Sequence, residues 1–293
     1  MICMFNRLRG RAVCSTSCFR LLDDSADQSL YQTDRLGKYD VRICRLWAYI
    51  RTCALGQEAV SVYPLRVHLP YRTSSLPIHI VPRVFTYPQG WYLPEAAHPY
   101  YVLAPHFDID FAAPAGPNPP LDPVSKEMFK DEESQKFLTD KVPQEKLATA
   151  KKLADVNPDD YAAIFYVGGH GPVIDLATDP TNVKLASKFW QQGKIVSAVC
   201  HGPAALVGAT DASGESIFKG RRATCFTYDE ELQVKKVDSI PFQPEHKIVE
   251  LGGKFEKTEP WGVKVVADGQ LYTGQNPASA GPLGQELLKA LKK

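Results

Sequence analysis

Two short apolar runs, each ending in a glycine-rich turn and separated by one amphipathic segment, constrain this chain more than any other feature. "YAAIFYV" runs into Gly168 and Gly169, "TNVKLASKFWQQG" follows, and "KIVSAV" then runs into Cys200, His201 and Gly202. Apolar runs of this length bounded by turns read as strands buried on both faces. The segment between them, apolar at helical spacing and stopped by Gly193, reads as a helix. Strand, helix, strand in that order closes into a right-handed parallel crossover. Both turns then lie at the carboxyl ends of neighbouring strands, where open α/β sheets form their crevices.

The flanking sequence extends the same pattern. "DIDFAAP" predicts a strand ending at Pro114, followed by a long loop in "AGPNPPLDPVS". "KEMFKDEESQKFLTDK" and "PQEKLATAKKLADV" predict helices whose charge runs are solvated faces. "RATCFT" predicts a strand, "PEHKIVELGG" a helix, "VKVVADGQLYTG" two short strands around Asp268-Gly269, and "PASAGPLGQELLKALKK" a closing helix. Alternating strands and helices of this kind make a doubly wound α/β sheet with helices on both faces.

A seam divides the chain near residue 85. Residues 1–84 hold eleven Arg and one Lys, whereas 85–293 hold two Arg and twenty Lys. The first segment lacks a sustained period and is punctuated by Pro64, Pro70, Pro77 and Pro82. Residues 1–84 are expected to be a poorly ordered or spurious extension and 85–293 the functional domain. A mitochondrial presequence, suggested by Arg7, Arg9, Arg11 and Arg20 with no acidic residue before Asp23, and a small accessory domain are the rival readings.

Charge and cysteine usage exclude several classes. With 34 basic against 33 acidic side chains, the chain shows no bias toward nucleic acid or membrane surfaces, and no apolar run is long enough to span a bilayer. Seven cysteines with no secretory signal point to free thiols in a reducing, cytoplasmic setting.

Cys200 is the candidate nucleophile. It follows a buried strand directly and precedes "HGPAALVGA", so it falls on a sharp strand-to-helix turn resembling the nucleophile elbow of hydrolases. The amino end of the next helix is expected to favour its thiolate. The "GGHG" turn, Gly168, Gly169, His170 and Gly171, faces the same crevice. Its backbone N–H groups, with that of His201, are expected to form an oxyanion hole or substrate cradle. The competing readings are a buried structural cysteine and a turn without ligand. Cys225 reads as core, and His98 and His170 as structural or pocket-lining. With no HExxH or CxxC, neither metal nor cofactor is expected.

Five ordered motifs, "GWYLPEAAHPY", "DFAAPAGPNPPLDPVS", "YVGGHGPVIDL", "AVCHGPAAL" and "TGQNPASA", resemble the PfpI-type superfamily in its branch of heat-shock-induced, glutathione-independent glyoxalases. The resemblance runs from about Gly90 to the C-terminus. It implies a flavodoxin-like three-layer sandwich with a mostly parallel sheet, a homodimer, and conversion of methylglyoxal and related 2-oxoaldehydes to D-lactate-type 2-hydroxy acids. It also implies roles: Cys200 as nucleophile, His201 beside it, Glu95 as the acidic residue at the sulfur, and an acidic partner for His201 in "CFTYDEEL". Glu231 is chosen by spacing, with Asp229 and Glu230 left open. The family's first strand should precede "GWYLPE"; "LPIHIVPRVFT" is the stretch available, with Pro82 in its middle, where a central strand accommodates proline poorly. A holding chaperone or redox sensor acting on misfolded clients, and a cysteine peptidase or amidohydrolase, are the alternative functions. A nuclear location is a further expectation beside the cytoplasmic one.

Overall fold

The structure, a computed structural model, describes residues 1–7 and 90–293. The chain enters the sheet at β1 (Ile2–Arg7), and the next described elements are α1 (Leu93–Leu103) and β2 (Phe107–Ala113). The long loop after Pro114 is present. Beyond it the charged stretch forms three short helices, α2 (Pro123–Met128), α3 (Glu132–Thr139) and α4 (Lys141–Ala148). The two longer helices expected there are cut short because Asp122, Asp131 and Asp140 each cap a new start with their side chains. The last part of the second stretch is instead β3 (Lys151–Lys152).

The crossover then follows as predicted: β4 (Ala163–Tyr166), the single turn α5 (Gly171–Ile174), α6 (Pro180–Gln191) and β5 (Ile195–Val199). After β5 the chain forms a five-residue 3₁₀ helix, Gly202–Leu206. "RATCFT" yields only the two-residue β6 (Arg222–Ala223), which leaves the main sheet to pair with β7 (Lys254–Phe255). Between those two lie α7 (Tyr228–Gln233) and α8 (Pro244–Glu250); the hairpin β8 (Val265–Asp268) and β9 (Leu271–Gly274) and the helix α9 (Ala280–Leu291) complete the described elements.

Among the described residues the main sheet has seven strands in the order β3-β2-β1-β4-β5-β9-β8. All but β1 and β8 run the same way, so the sheet is mostly parallel. Helices cover both faces, giving the flavodoxin-like α/β sandwich. One core joins Phe5, Phe111 and Phe165 to Leu93 of α1 and to Leu283 and Leu287 of α9. The other joins Ile2, Met4 and Ile164 to Phe189 of α6 and Ile248 of α8.

One expectation needs correction. Ile2–Arg7, assigned to the extension, forms the central strand, antiparallel to both β2 and β4 with Ile2 opposite Ala112 and Tyr166. Its residues alternate between the two cores, as a strand buried on both faces must. The "LPIHIVPRVFT" stretch, like the rest of residues 8–89, lies outside the described residues, and the boundary at residues 84 and 85 stays a proposal resting on the switch from Arg to Lys. Among the described residues no helix is long and apolar enough to cross a membrane.

Candidate active site

The site forms where β4 and β5 end. Cys200 follows β5 directly and has φ of 58°, the left-handed region that a non-glycine residue adopts only when its surroundings hold it there. The backbone does so from both sides: the Cys200 N–H donates to the Gly274 carbonyl at 2.9 Å, and its carbonyl accepts from the Phe226 N–H at 2.8 Å. The strained turn is therefore fixed by β9 and by the loop that leads into α7.

Glu95 reaches the sulfur from the other side. It sits in the first turn of α1, entirely buried, and neither carboxyl oxygen meets a donor in hydrogen-bond geometry. Gly168 lies between it and the thiol, so closely that a methyl group there would overlap the Glu95 carboxyl and come within 2.8 Å of the Cys200 Cβ. Burial pushes Glu95 up to about 8, with the adjacent Cys200 thiol and Gly168 amide offsetting part of the rise. Neighbouring Gly169 has φ of 86°, which turns the chain so that its N–H, like that of His201, faces the Cys200 sulfur.

The surroundings of Cys200 do not favour the thiolate expected at a helix terminus. Cys200 is buried, and the 3₁₀ helix after it is too short to build much of a dipole. Burial, then the Glu95 carboxylate, raises the thiol well above its ordinary range, against the pull of the Gly169 and His201 amides. Thiol and carboxyl are thus coupled: ionising either makes ionising the other harder.

A line of hydrogen bonds leads away from the sulfur. His201 Nδ1 stands 3.3 Å from Cys200 Sγ, and Nε2 is 2.5 Å from Glu231 Oε2. Burial and the nearby His170 lower His201 to about 4. Burial alone would raise Glu231, but its bonds to His170 and His201 outweigh that and hold it down to about 2. A neutral imidazole donating from Nε2 to a carboxylate leaves the Nδ1 lone pair aimed at the thiol, a tautomer assigned from these bonds. The Phe226 ring stacks on the imidazole with centroids 4.5 Å apart.

Of the three acidic residues left open in the sequence, α7 turns only Glu231 toward His201. Asp229 pairs on the surface with Lys257 at 2.9 Å. Glu230 is buried within a different network: it closes a capping box with Thr227 and accepts from the Trp261 N–H at 2.8 Å and from Asn276 Nδ2 at 2.8 Å. The Thr-x-x-Glu spacing was the signal for that cap, and it fixes which face of α7 turns inward.

The "GGHG" residues separate in role. Gly168 and Gly169 border the sulfur and Glu95, Gly171 opens α5 beside Gly90, and His170 donates from Nε2 to the second oxygen of Glu231 at 3.0 Å. His98 pairs with Asp131 at 3.0 Å, and Cys225 is fully buried in the core. His170, His201 and Glu231 also offer three donor atoms within 4.8 Å of one another, a set able to take a divalent cation if the imidazole protons gave way. Sequence reasoning did not find the bond of His170 to Glu231 or the stacking of Phe226, since both join elements far apart in the chain.

A sequence profile of the DJ-1/PfpI family matches residues 95–290. A glutathione-independent glyoxalase of Saccharomyces cerevisiae is 32% identical over 213 residues, 69% of this chain and 90% of that protein. A probable glutathione-independent glyoxalase of Schizosaccharomyces pombe is 33% identical over 176 residues, 58% of this chain and 76% of that protein. Among solved structures, glyoxalase III of Candida albicans superposes with a TM-score of 0.62 at 28% identity, covering 69% of this chain and 88% of that one.

Proposed function

The chain belongs to the DJ-1/PfpI family, and on that premise we propose that it is a glutathione-independent glyoxalase that turns small 2-oxoaldehydes such as methylglyoxal into 2-hydroxy acids, D-lactate in that case. The observation that carries the reading is the pair of proton-transfer groups beside one sulfur: His201 Nδ1 at 3.3 Å, backed by Glu231, and the buried Glu95 carboxyl.

Cys200 Sγ attacks the aldehyde carbon, the more electrophilic of the two carbonyls, as its proton passes to His201 Nδ1. The new oxyanion meets the Gly169 and His201 amides and then takes the proton back, giving a neutral hemithioacetal. Glu95 in its ionised form, a minority near neutral pH but a stronger base than an exposed carboxylate because of its burial, removes the hydrogen from the former aldehyde carbon. That electron pair becomes the carbon–carbon double bond of an enediol while the ketone oxygen takes a proton from solvent. Glu95 returns its proton to the neighbouring carbon, and the hydroxyl on the sulfur-bearing carbon gives its own back to solvent, leaving a thioester. Water, with His201 as base, releases the 2-hydroxy acid and restores the thiol. One carbon is oxidised and its neighbour reduced, so no external redox partner, glutathione or metal enters the balance. Cytoplasmic residence and a homodimer are parts of the proposal that fractionation and light scattering check.

Turnover in deuterium oxide without added thiol tests the chemistry. Wild type should form D-lactate, with deuterium entering C2 to the extent that Glu95 exchanges its proton with solvent before returning it, and Cys200→Ser should form none. Wild-type protein that makes no lactate would overturn the proposal.

A further inference from the structure

The reaction above needs room for three carbons, yet the cavity beside it encloses about 720 Å³. That lies in the range occupied by drug-sized ligands. Two of its walls belong to the site: His170, which holds Glu231, and Tyr92, whose phenol is pushed up by burial and then by the nearby Cys200 and Glu95. The remaining wall is largely apolar and aromatic, with Met128, Phe129, Val234 and Trp261 the main contributors.

Trp261 is held there at a cost. Its φ of 67° is a left-handed conformation that a bulky side chain avoids. Three contacts enforce it: the main-chain N–H donates to Glu230 at 2.8 Å, the indole N–H donates to Gln233 at 2.6 Å, and the ring stands edge-on to Phe226 at 5.6 Å. The indole nevertheless stays 45% exposed, and at the same cavity Met128 is 65% and Val124 56% exposed. Phe129 meets Tyr92 edge-on at 5.5 Å, which joins the apolar wall to a phenol close enough to be influenced by Cys200 and Glu95. Apolar side chains left in water around a concave, strained aromatic wall mark a place for an apolar ligand group.

We propose that this cavity receives a bulky apolar substituent on the ketone carbon, so that the favoured substrates are aromatic or long-chain 2-oxoaldehydes and not methylglyoxal. The inference rests on the glyoxalase reading and names its substrate class. The aldehyde carbon reaches Cys200, and the substituent lies between Phe129 and Trp261, where an aryl ring gains contacts that a methyl group lacks.

The test compares phenylglyoxal with methylglyoxal in wild type, Phe129→Ala and Trp261→Ala, each checked for folding by circular dichroism. Wild type should favour phenylglyoxal in kcat/KM by about tenfold or more, and each variant should reduce that ratio at least severalfold. Phe129→Leu serves should an alanine variant fail to fold. Titration of D-mandelate against D-lactate into Cys200→Ser reads the cavity without turnover, and mandelate should bind the more tightly by a similar factor. Equal kcat/KM for the two aldehydes, an unchanged ratio in the variants, or no preference for mandelate would overturn the proposal. Mandelate preference with no turnover of either aldehyde would leave the apolar pocket standing, but would overturn both the substrate assignment and the glyoxalase reading beneath it.

Discussion

At the scale of single residues, the arrangement turns on where one proton resides. The folded protein keeps a proton on Glu95 up to about pH 8, whereas the unfolded chain releases it near the ordinary value of 4.5. Between those values the folded state binds the extra proton, so stability is highest below the window and falls as pH rises through it. Glu95→Gln removes this loss: the variant should equal wild type near pH 4 and exceed it near pH 8 by a few kcal/mol, read by chemical denaturation at both pH values. Glu231→Gln should leave the fold intact but lower kcat by about a hundredfold or more, because His201 then loses the carboxylate that fixes its tautomer. Steady-state kinetics with methylglyoxal measures that drop. The sequence made Cys200 and His201 visible because a Cys-His pair directly after a buried strand has few structural uses. It could not show that the thiol is buried with a carboxyl coupled to it, since Glu95 is more than a hundred positions away and its burial is a tertiary fact.

At the scale of elements, the site is assembled from turns more than from helices or strands. Gly168 leaves no space for a side chain, and Gly168→Ala should displace Glu95 or Cys200 and cut kcat/KM by about a hundredfold, since misplacement near 1 Å is enough for that. A variant of wild-type activity would show that the close packing at Gly168 has no part in catalysis. Thr227 begins α7 and thereby places Glu231; Thr227→Ala should cost about 1 kcal/mol in denaturant unfolding. Elements with clean periodicity were legible: β4, α6, β5, the β8–β9 hairpin and α9 all stand where spacing put them. The charged stretch after Pro123 was not, because Asp caps at Asp131 and Asp140 interrupt a pattern whose overall composition favours helix throughout.

At the scale of the whole molecule, the sheet depends on its central strand. Periodicity gave no hint of Ile2–Arg7, for a short apolar run leading into an Arg-rich segment carries no signal of which partners it will pair with, and here both partners lie a hundred or more residues downstream. Met4 is fully buried, opposite Asp110 on one side and Ile164 on the other. Met4→Asp would bury a carboxylate in that core and should abolish cooperative unfolding or lower Tm by well over 10 °C, on the order of several kcal/mol; a variant with unchanged Tm would place the strand elsewhere. The doubly wound frame could be read without it, because crossover handedness and the two glycine turns already locate the crevice.

The central claim is that Cys200 captures the aldehyde and Glu95 moves its hydrogen. The measurement that reaches it most directly is carbon-13 NMR of Glu95→Gln incubated with methylglyoxal labelled at the aldehyde carbon, with Cys200→Ser as control and a parallel assay for lactate. The account predicts a hemithioacetal signal that disappears in Cys200→Ser, and no lactate, because addition proceeds while the proton transfer is blocked. Lactate formed at the wild-type rate, or no signal that depends on Cys200, would contradict it.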